Sequence, residues 1–377
     1  MSSTKGFSLK DQLFNQEKVR YFAGLFYAAD PEFDAAGFER VVMETMLDLE
    51  LKARMVLISE VLEQFLPDEF PVAAERIHAA LPAPLDPTKT DNDFGIFIFG
   101  SLGEYVARKG LNDLQIALEL LKEITKRFSM EFALRHFLIA AQDDTMSVLG
   151  SWAGDENYHV RRLVSEGTRP TLPWGMKTAL TVSEPLPFLD ALHADSTRFV
   201  TRSVANHLND ISRKDPALVI ETLQRWQGWG RQDSAELDWM TRHALRTLVK
   251  KGDAGALAML GFHESLAISV SEIEIAPSGS IQIGDIASFT FEIEAEKDEC
   301  LLVDYVIDFV KSNGSSTPKV FKLKKLSLKA GEKVIIQKNH RFLKDATTFT
   351  HYPGSHRLTL QINGQSCGSC AFGLFAE

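Results

Sequence analysis

The sequence predicts a mainly α chain, a superhelical stack of α-α helix pairs over residues 1–265, followed by an all-β sandwich over residues 266–377. Three observations predict it. Apolar residues recur at helical spacing up to about residue 265, they alternate with period two beyond it, and a twelve-residue pattern returns after an offset of 40 residues.

The helical part takes its elements in order. Phe38 to Val61 carries apolar residues at i, i+3 and i+4, which predicts helix. Ala80 to Asn92 is rich in Pro, Asp and Thr and reads as a loop. The apolar run Phe94-Gly-Ile-Phe-Ile-Phe99 fits either a strand or a buried helix, and its pattern alone does not choose. Leu111 to Ile124 and Phe132 to Ala141 again have helical spacing.

Asp155-Glu-Asn-Tyr-His-Val-Arg-Arg-Leu-Val-Ser-Glu166 is matched by Asp195-Ser-Thr-Arg-Phe-Val-Thr-Arg-Ser-Val-Ala-Asn206. Asp155 aligns with Asp195, Val160 with Val200, Arg162 with Arg202 and Val164 with Val204, and a weaker third copy includes Arg242 and Ala244. Each clear copy opens on an Asp near a helix start, where its carboxylate can accept a free backbone N–H. A period of about 40 with two helices per unit is the signature of HEAT-like repeats. One such pair cannot bury its apolar stripe alone, so neighbours stack and a concave face results.

Beyond residue 266, Ile268, Val270, Ile273 and Ile275 begin an alternation that continues through Ile281, Ile283, Phe289, Phe291 and Ile293 and then Val303, Tyr305, Ile307 and Phe309. Turn residues separate the runs at Pro277-Ser-Gly279, Asn313 to Ser316, Ala330-Gly331, Pro353-Gly354 and Asn363-Gly364. Short strands at this spacing predict an antiparallel sandwich. The lysines 319, 322, 324, 325, 329 and 333 in this region suit either a DNA-gripping face or a solvated edge strand.

Composition restricts function. The 377 residues are 45% hydrophobic and 24% charged, an ordinary globular balance. A net charge of −10 weighs against nucleic-acid binding, but the first 100 residues hold 17 acidic and 9 basic side chains, so the remainder is nearly neutral. Local charge then decides docking. The three cysteines, Cys300, Cys367 and Cys370, suit a reducing compartment. Cys367-Gly-Ser-Cys370 has the spacing of a redox pair or half a metal site, or is a pair of small strand residues. No run approaches the roughly 20 apolar residues of a membrane span, and a cytoplasmic, membrane-free protein is expected. No metal constellation stands out, and no cofactor is expected.

Arg161, Arg162, Arg202, Arg242 and Arg246 occupy corresponding helix positions, with Asn206, His207 and Asn209 on the second unit. Such a ladder makes a stripe for phosphates, or pairs internally with Asp155, Asp195, Asp210 and Asp238. In Ser165-Glu-Gly-Thr-Arg-Pro-Thr-Leu-Pro-Trp174, Gly167 suits the position just past a helix end and Pro170 follows it. Glu166, Arg169 and Trp174 would then meet at a loop mouth, where an aromatic face and an acid suit a cationic ring. A packing Trp with a solvated Glu166 is the alternative.

The run His159-Val-Arg-Arg-Leu-Val-Ser-Glu-Gly-Thr-Arg-Pro-Thr-Leu-Pro-Trp174 resembles the AlkC branch of the AlkC/AlkD alkylpurine DNA glycosylases. So do Arg202-Ser-Val-Ala-Asn-His-Leu-Asn-Asp210 with Lys214-Asp-Pro216, and Thr241-Arg-His-Ala-Leu-Arg-Thr-Leu-Val-Lys250. The resemblance spans about residues 5 to 265, and the sandwich agrees with the immunoglobulin-like domain of some AlkC proteins. It implies a glycosylase that hydrolyses the N-glycosidic bond of 3-methyladenine and 3-methylcytosine in double-stranded DNA; no lysine stands out as a Schiff-base nucleophile, so a monofunctional enzyme is expected, and a monomer. It implies Glu166 and Trp174 as acid and aromatic of the lesion site, with Glu131 as a second carboxylate. Arg161, Arg162, Arg169, Arg202, Asn206, His207, Asn209, Arg242 and Arg246 are expected at the DNA. The rival is a non-catalytic HEAT-like scaffold that binds proteins, which the negative charge favours.

Overall fold

The computed structural model describes residues 8–91, 93–344, 346 and 349–376. Asn92, the end of the expected loop, lies outside them, as do residues 1–7. Helices come first: α1 Leu9–Leu13, α2 Gln16–Ala29, α3 Ala35–Met43, α4 Leu51–Glu63, α5 Phe70–Ala80, α6 Gly100–Lys109, α7 Leu114–Thr125 and α8 Glu131–Ala140. They continue as α9 Gln142–Trp152, α10 Tyr158–Gly167, α11 Leu186–Leu192, α12 Arg198–Ile211, α13 Pro216–Trp229, α14 Ser234–Lys251 and α15 Ala254–Met259. No described helix is long and apolar enough to cross a membrane.

By internal contacts the chain divides into two units, Met1–Asp215 with Leu223–Ala244, and Pro216–Thr222 with Leu245–Glu377. In the first, α4, α6, α8, α10 and α12 pack in succession, and α2, α5 and α7 form a second row. This is the stacked-pair arrangement that the repeat predicts. The two clear copies fall on α10 and α12, and their aspartates do the same work. Asp155 accepts from the Asn157 N–H and Asp195 from the Thr197 N–H, each at 2.8 Å. The N-cap positions themselves belong to Asn157 and Thr197. A third aspartate, Asp233, accepts from the Ala235 and Glu236 N–H groups at the start of α14.

Two expectations need correction. Phe38 to Val61 is not one helix, because a 3-10 turn at Met46–Asp48 separates α3 from α4. The buried Arg54 guanidinium collects the Leu47 and Leu49 carbonyls that this break frees. Gly167 is the last residue of α10 rather than the position after it. It is needed for close approach, since a Cβ there would lie 2.4 Å from Leu134 Cδ2 on α8.

The apolar run before α6 is neither a strand nor a long helix. Gly95 makes a single antiparallel bridge to Phe128, and a 3-10 turn at Phe97–Phe99 follows. Gly95 has a φ of +74°, and a Cβ would fall 1.8 Å from the Arg127 carbonyl oxygen. This bridge fixes the turn that leads into α8 and Glu131.

The second unit holds the strands β1 Ile268–Val270, β2 Glu274–Ala276, β3 Ser280–Gln282, β4 Ile286–Ala295, β5 Glu299–Val310, β6 Ser316–Leu328, β7 Lys333–Arg341, β8 Gly354–Ile362 and β9 Gln365–Phe375. One sheet has β4 between β7 and the short β1 and β2, and the other runs β3-β9-β8-β5-β6. All pairings are antiparallel except β3 with β9. The alternating Phe289, Phe291, Ile293, Val303, Tyr305 and Ile307 point inward and form the core. The lysine-rich β6 is an edge strand.

Gly95→Ala combines a forbidden φ with a backbone clash and should cost about 2 kcal/mol or more. Calorimetry should show the melting temperature lowered by about 4 °C or more; an unchanged transition would contradict the role given to this bridge.

Candidate active site

The repeat helices bring a line of alternating buried charges together. Glu166, near the end of α10, is 6% exposed. Arg169, one turn on, donates through Nη1 to Glu166 Oε1 at 2.6 Å and through Nε to Asp210 Oδ2 at 2.9 Å. Asp210 comes from α12. Ser203, also on α12, donates to Glu166 Oε2 at 2.7 Å. On the other side Arg162 Nη2 lies 3.6 Å from Glu166 Oε2, and its Nη1 donates to Ser129 Oγ at 2.9 Å. The Arg162 guanidinium also stands 4.4 Å from the Phe199 ring centroid.

Burial alone would raise the Glu166 carboxyl, but Arg162 and Arg169, helped by Ser203, outweigh it and hold it below its ordinary value. Glu131, on the first turn of α8, shows the opposite balance. Burial pushes its carboxyl up, Arg162 pulls down, and the charge of Glu166 pushes up again. Its Oε2 is sealed from solvent and has no hydrogen-bond partner. One carboxylate is thus fixed and fully partnered, and the other has an oxygen to spare.

Trp174 lies on the loop after α10. Its indole is 65% exposed and its backbone is left-handed, with φ of 64°. Lys52 Nζ donates to its carbonyl at 2.8 Å. With Lys52, Phe132 and His136 it lines a hollow of about 160 Å³. Phe132 adjoins Glu131 in sequence, so α8 serves both places. Of the expected group Glu166, Arg169 and Trp174, the first two are bonded directly, and Trp174 is carried by the loop that follows them.

Several expected DNA contacts are committed elsewhere. His207 and Asn209 are buried, and His207, its pKa lowered to about 3 by burial, holds the Ser165 carbonyl oxygen through Nδ1. Arg161 binds Asp195 at 2.5 Å and the Asp155 and Glu156 carbonyls. Arg162 and Arg169 sit in the charge line. Arg161 and Arg169 pair with Asp195 and Asp210, acids one repeat away, whereas the acid of Arg162 is Glu166 on its own helix. Arg202 is half-exposed and pairs with Asp91, Asn206 bonds His243, Arg242 is exposed and Arg246 is half-buried.

Sequence reasoning missed Arg135. It is 1% exposed on α8 and donates to the Gly167, Arg169 and Met176 carbonyls, pinning both ends of the loop that carries Trp174. An arginine at a core-facing helix position was its only signal. Among the described residues no group of His, Cys, Asp or Glu is set to hold a metal, and the three cysteines are free.

Comparison with known proteins places this geometry. The family described as YhaZ, C-terminal Ig-like domain, matches residues 269–376. The uncharacterised protein YhaZ of Bacillus subtilis (strain 168) is 33% identical over 365 residues, covering 96% of this chain and 98% of YhaZ. The alkylpurine DNA glycosylase AlkC of Pseudomonas fluorescens, solved bound to DNA containing an abasic site analogue, superposes with a TM-score of 0.84 and 35% identity, covering 98% of this chain and 100% of AlkC. The chain belongs to the AlkC family. Its AlkC-type fold is therefore shared along the whole length, immunoglobulin-like sandwich included.

The two carboxyls should report opposite signs in stability. A folded value above the unfolded one makes Glu131 ionisation destabilising, so stability falls as pH rises through it. Glu131→Gln should melt higher than the parent chain near neutral pH, with the advantage fading towards about pH 4. Glu166 has a depressed folded value, so its contribution is present above the ordinary carboxylate range and is lost in acid. Glu166→Gln should melt several degrees lower at neutral pH, leaving two arginines under-compensated. Melting curves across pH check both, and equal shifts for the two variants would contradict the assignment.

Proposed function

We propose that this chain is a monofunctional DNA glycosylase that excises cationic alkylated bases, 3-methylcytosine and 3-methyladenine, from double-stranded DNA. The observation that carries this is the carboxyl pair Glu131 and Glu166 with Arg162 acting on both, in a chain of the AlkC family. Residues 1–265 would form the catalytic domain and 266–377 an accessory module, in a monomer without cofactor.

A base methylated on a ring nitrogen carries its positive charge before reaction. When the C1′–N bond breaks, the electron pair goes to the base, which leaves neutral, and positive charge passes to the deoxyribose. Glu166 cannot swing away, because Arg162, Arg169 and Ser203 fix it, so it supplies a preorganised negative field. Glu131 supplies the unpartnered oxygen, sealed in the free protein and uncovered when DNA binds. An arriving cation favours its ionised form, and it then faces the sugar or takes the proton of the water that attacks C1′. Trp174, exposed and clamped by Lys52, contacts the nucleotide. Arg202 and Arg242 meet phosphates on the same unit, while Arg162 and Arg169 act by holding Glu166.

The test is release of free base from methylated duplex. Glu166→Gln and Glu131→Gln should each lower release by about 100-fold or more, and Trp174→Ala should weaken lesion preference. Release should fall on the acidic side as Glu131 becomes protonated, an acidic limb that Glu131→Gln abolishes. The product strand should carry an abasic site without a nick. Full activity of Glu166→Gln, or duplex binding insensitive to salt, would overturn the proposal.

A further inference from the structure

A second concave site lies wholly within the sandwich unit and takes no part in the chemistry above. A cavity of about 420 Å³ opens among β5, β6, β7 and the segment preceding β8. Its size falls in the range of small-molecule sites, roughly 300–1,000 Å³. Rings form its walls, with Phe309 and Phe321 from the strands and Phe349 and Tyr352 from the segment before β8. Phe349 and Tyr352 are 40% and 36% exposed, although both are large aromatics.

The charges of the lining all have one sign. Lys311, Lys319 and Arg341 contribute to it and no acid does, in a chain whose net charge is −10. Lys319 Nζ stands 4.7 Å from the Phe349 centroid and 5.4 Å from that of Phe321, so a cation already rests against the ring faces. The Nδ1 of the lining residue His340 lies 2.9 Å from the Tyr305 hydroxyl. His351 Nε2 is buried in the lining without a hydrogen-bond partner. Burial drives the His340 pKa down to about 4 and lowers that of His351, so both rings are neutral near pH 7 and can bond an uncharged edge.

Ring walls, cations at the rim and an unpartnered imidazole nitrogen inside together fit a planar heterocycle with an anionic group attached. We propose that this cavity binds one unstacked nucleotide of single-stranded DNA, its base among Phe309, Phe321 and Phe349 and its phosphate on Lys319 and Arg341. A base within an intact duplex is stacked on both faces and cannot enter, so the site selects an unpaired nucleotide. Choosing a nucleotide over other aromatic anions rests on the DNA reading of the helical unit. Stacking on protein rings serves every base, so little sequence preference is expected.

The full chain is titrated with fluorescein-labelled (dT)6 and with an abasic hexamer of equal phosphate number, reading anisotropy. The (dT)6 should bind at least about fivefold tighter than the abasic strand. Phe349→Ala should erase that difference while leaving base release from a methylated duplex intact, and Lys319→Glu should weaken both strands. Both substituted side chains are exposed, and circular dichroism verifies that the fold persists. Equal affinity for the two hexamers, unchanged (dT)6 binding by Phe349→Ala, or tighter binding of a phosphotyrosine peptide than of (dT)6 would overturn the inference. Base release separates the two readings. Bases released without Phe349-dependent (dT)6 binding sink this site alone, and the reverse pattern sinks the catalytic one.

Discussion

Four buried charges in line, Asp210, Arg169, Glu166 and Arg162, impose the constraint on which the site depends. Each is costly to bury alone, and removing one partner of such a pair costs about 3–5 kcal/mol because it strands the other. The line crosses from α12 to α10, with Ser203 on the first and Ser129 before α8 completing its hydrogen bonds. Helix positions are therefore tied to charge positions. A shift of α12 along α10 would break Arg169 from Asp210 and Ser203 from Glu166 together. The arrangement does not maximise stability, since apolar residues of similar volume would often do as well. What it provides is an anion that stays in place.

That fixity gives Glu131 its character. Its carboxyl feels Arg162, but Arg162 is already shared among Glu166, Ser129 and the Phe199 ring. The result is a carboxyl of raised pKa with an unpartnered oxygen, beside one of lowered pKa with none to spare. Two carboxyls pushed apart in this way are the usual mark of divided roles. Arg135 extends the rigid frame to the loop after α10, where it holds three carbonyls, and Lys52 holds the Trp174 carbonyl from α4. The aromatic is thus presented on a braced loop with a left-handed residue at its tip.

The repeat made the helical stacking legible, because Asp155 and Asp195 bind equivalent N–H groups at equivalent helix starts. The strand region was legible because one face of each strand is buried, which forces alternation from Phe289 to Ile293 and from Val303 to Ile307. Side-chain partnership was harder. Spacing alone leaves phosphate binding and internal pairing both open for the arginines, and the structure sets Asp195 and Asp210 in front of Arg161 and Arg169. His207 and Asn209 are polar in type and buried in fact, and His207 bonds the Ser165 carbonyl oxygen through Nδ1 inside the stack. The brace on the loop from Glu166 to Trp174 was not legible either, because Arg135, which bonds both of its ends, lies more than thirty residues earlier on α8. The break between α3 and α4 escaped the apolar pattern because it is bridged by one charged side chain, Arg54.

The central claim is that the fixed anions leave Glu131 ready to receive a cation. Carbon-13 NMR of the labelled Glu131 carboxyl measures this directly, in the free protein and bound to a duplex bearing a cationic pyrrolidine in place of one deoxyribose. The account predicts a free-protein pKa above the ordinary glutamate value and a clear fall on binding that duplex, absent with an uncharged tetrahydrofuran analogue. An ordinary or lowered value in the free protein that does not change between the two duplexes would contradict it.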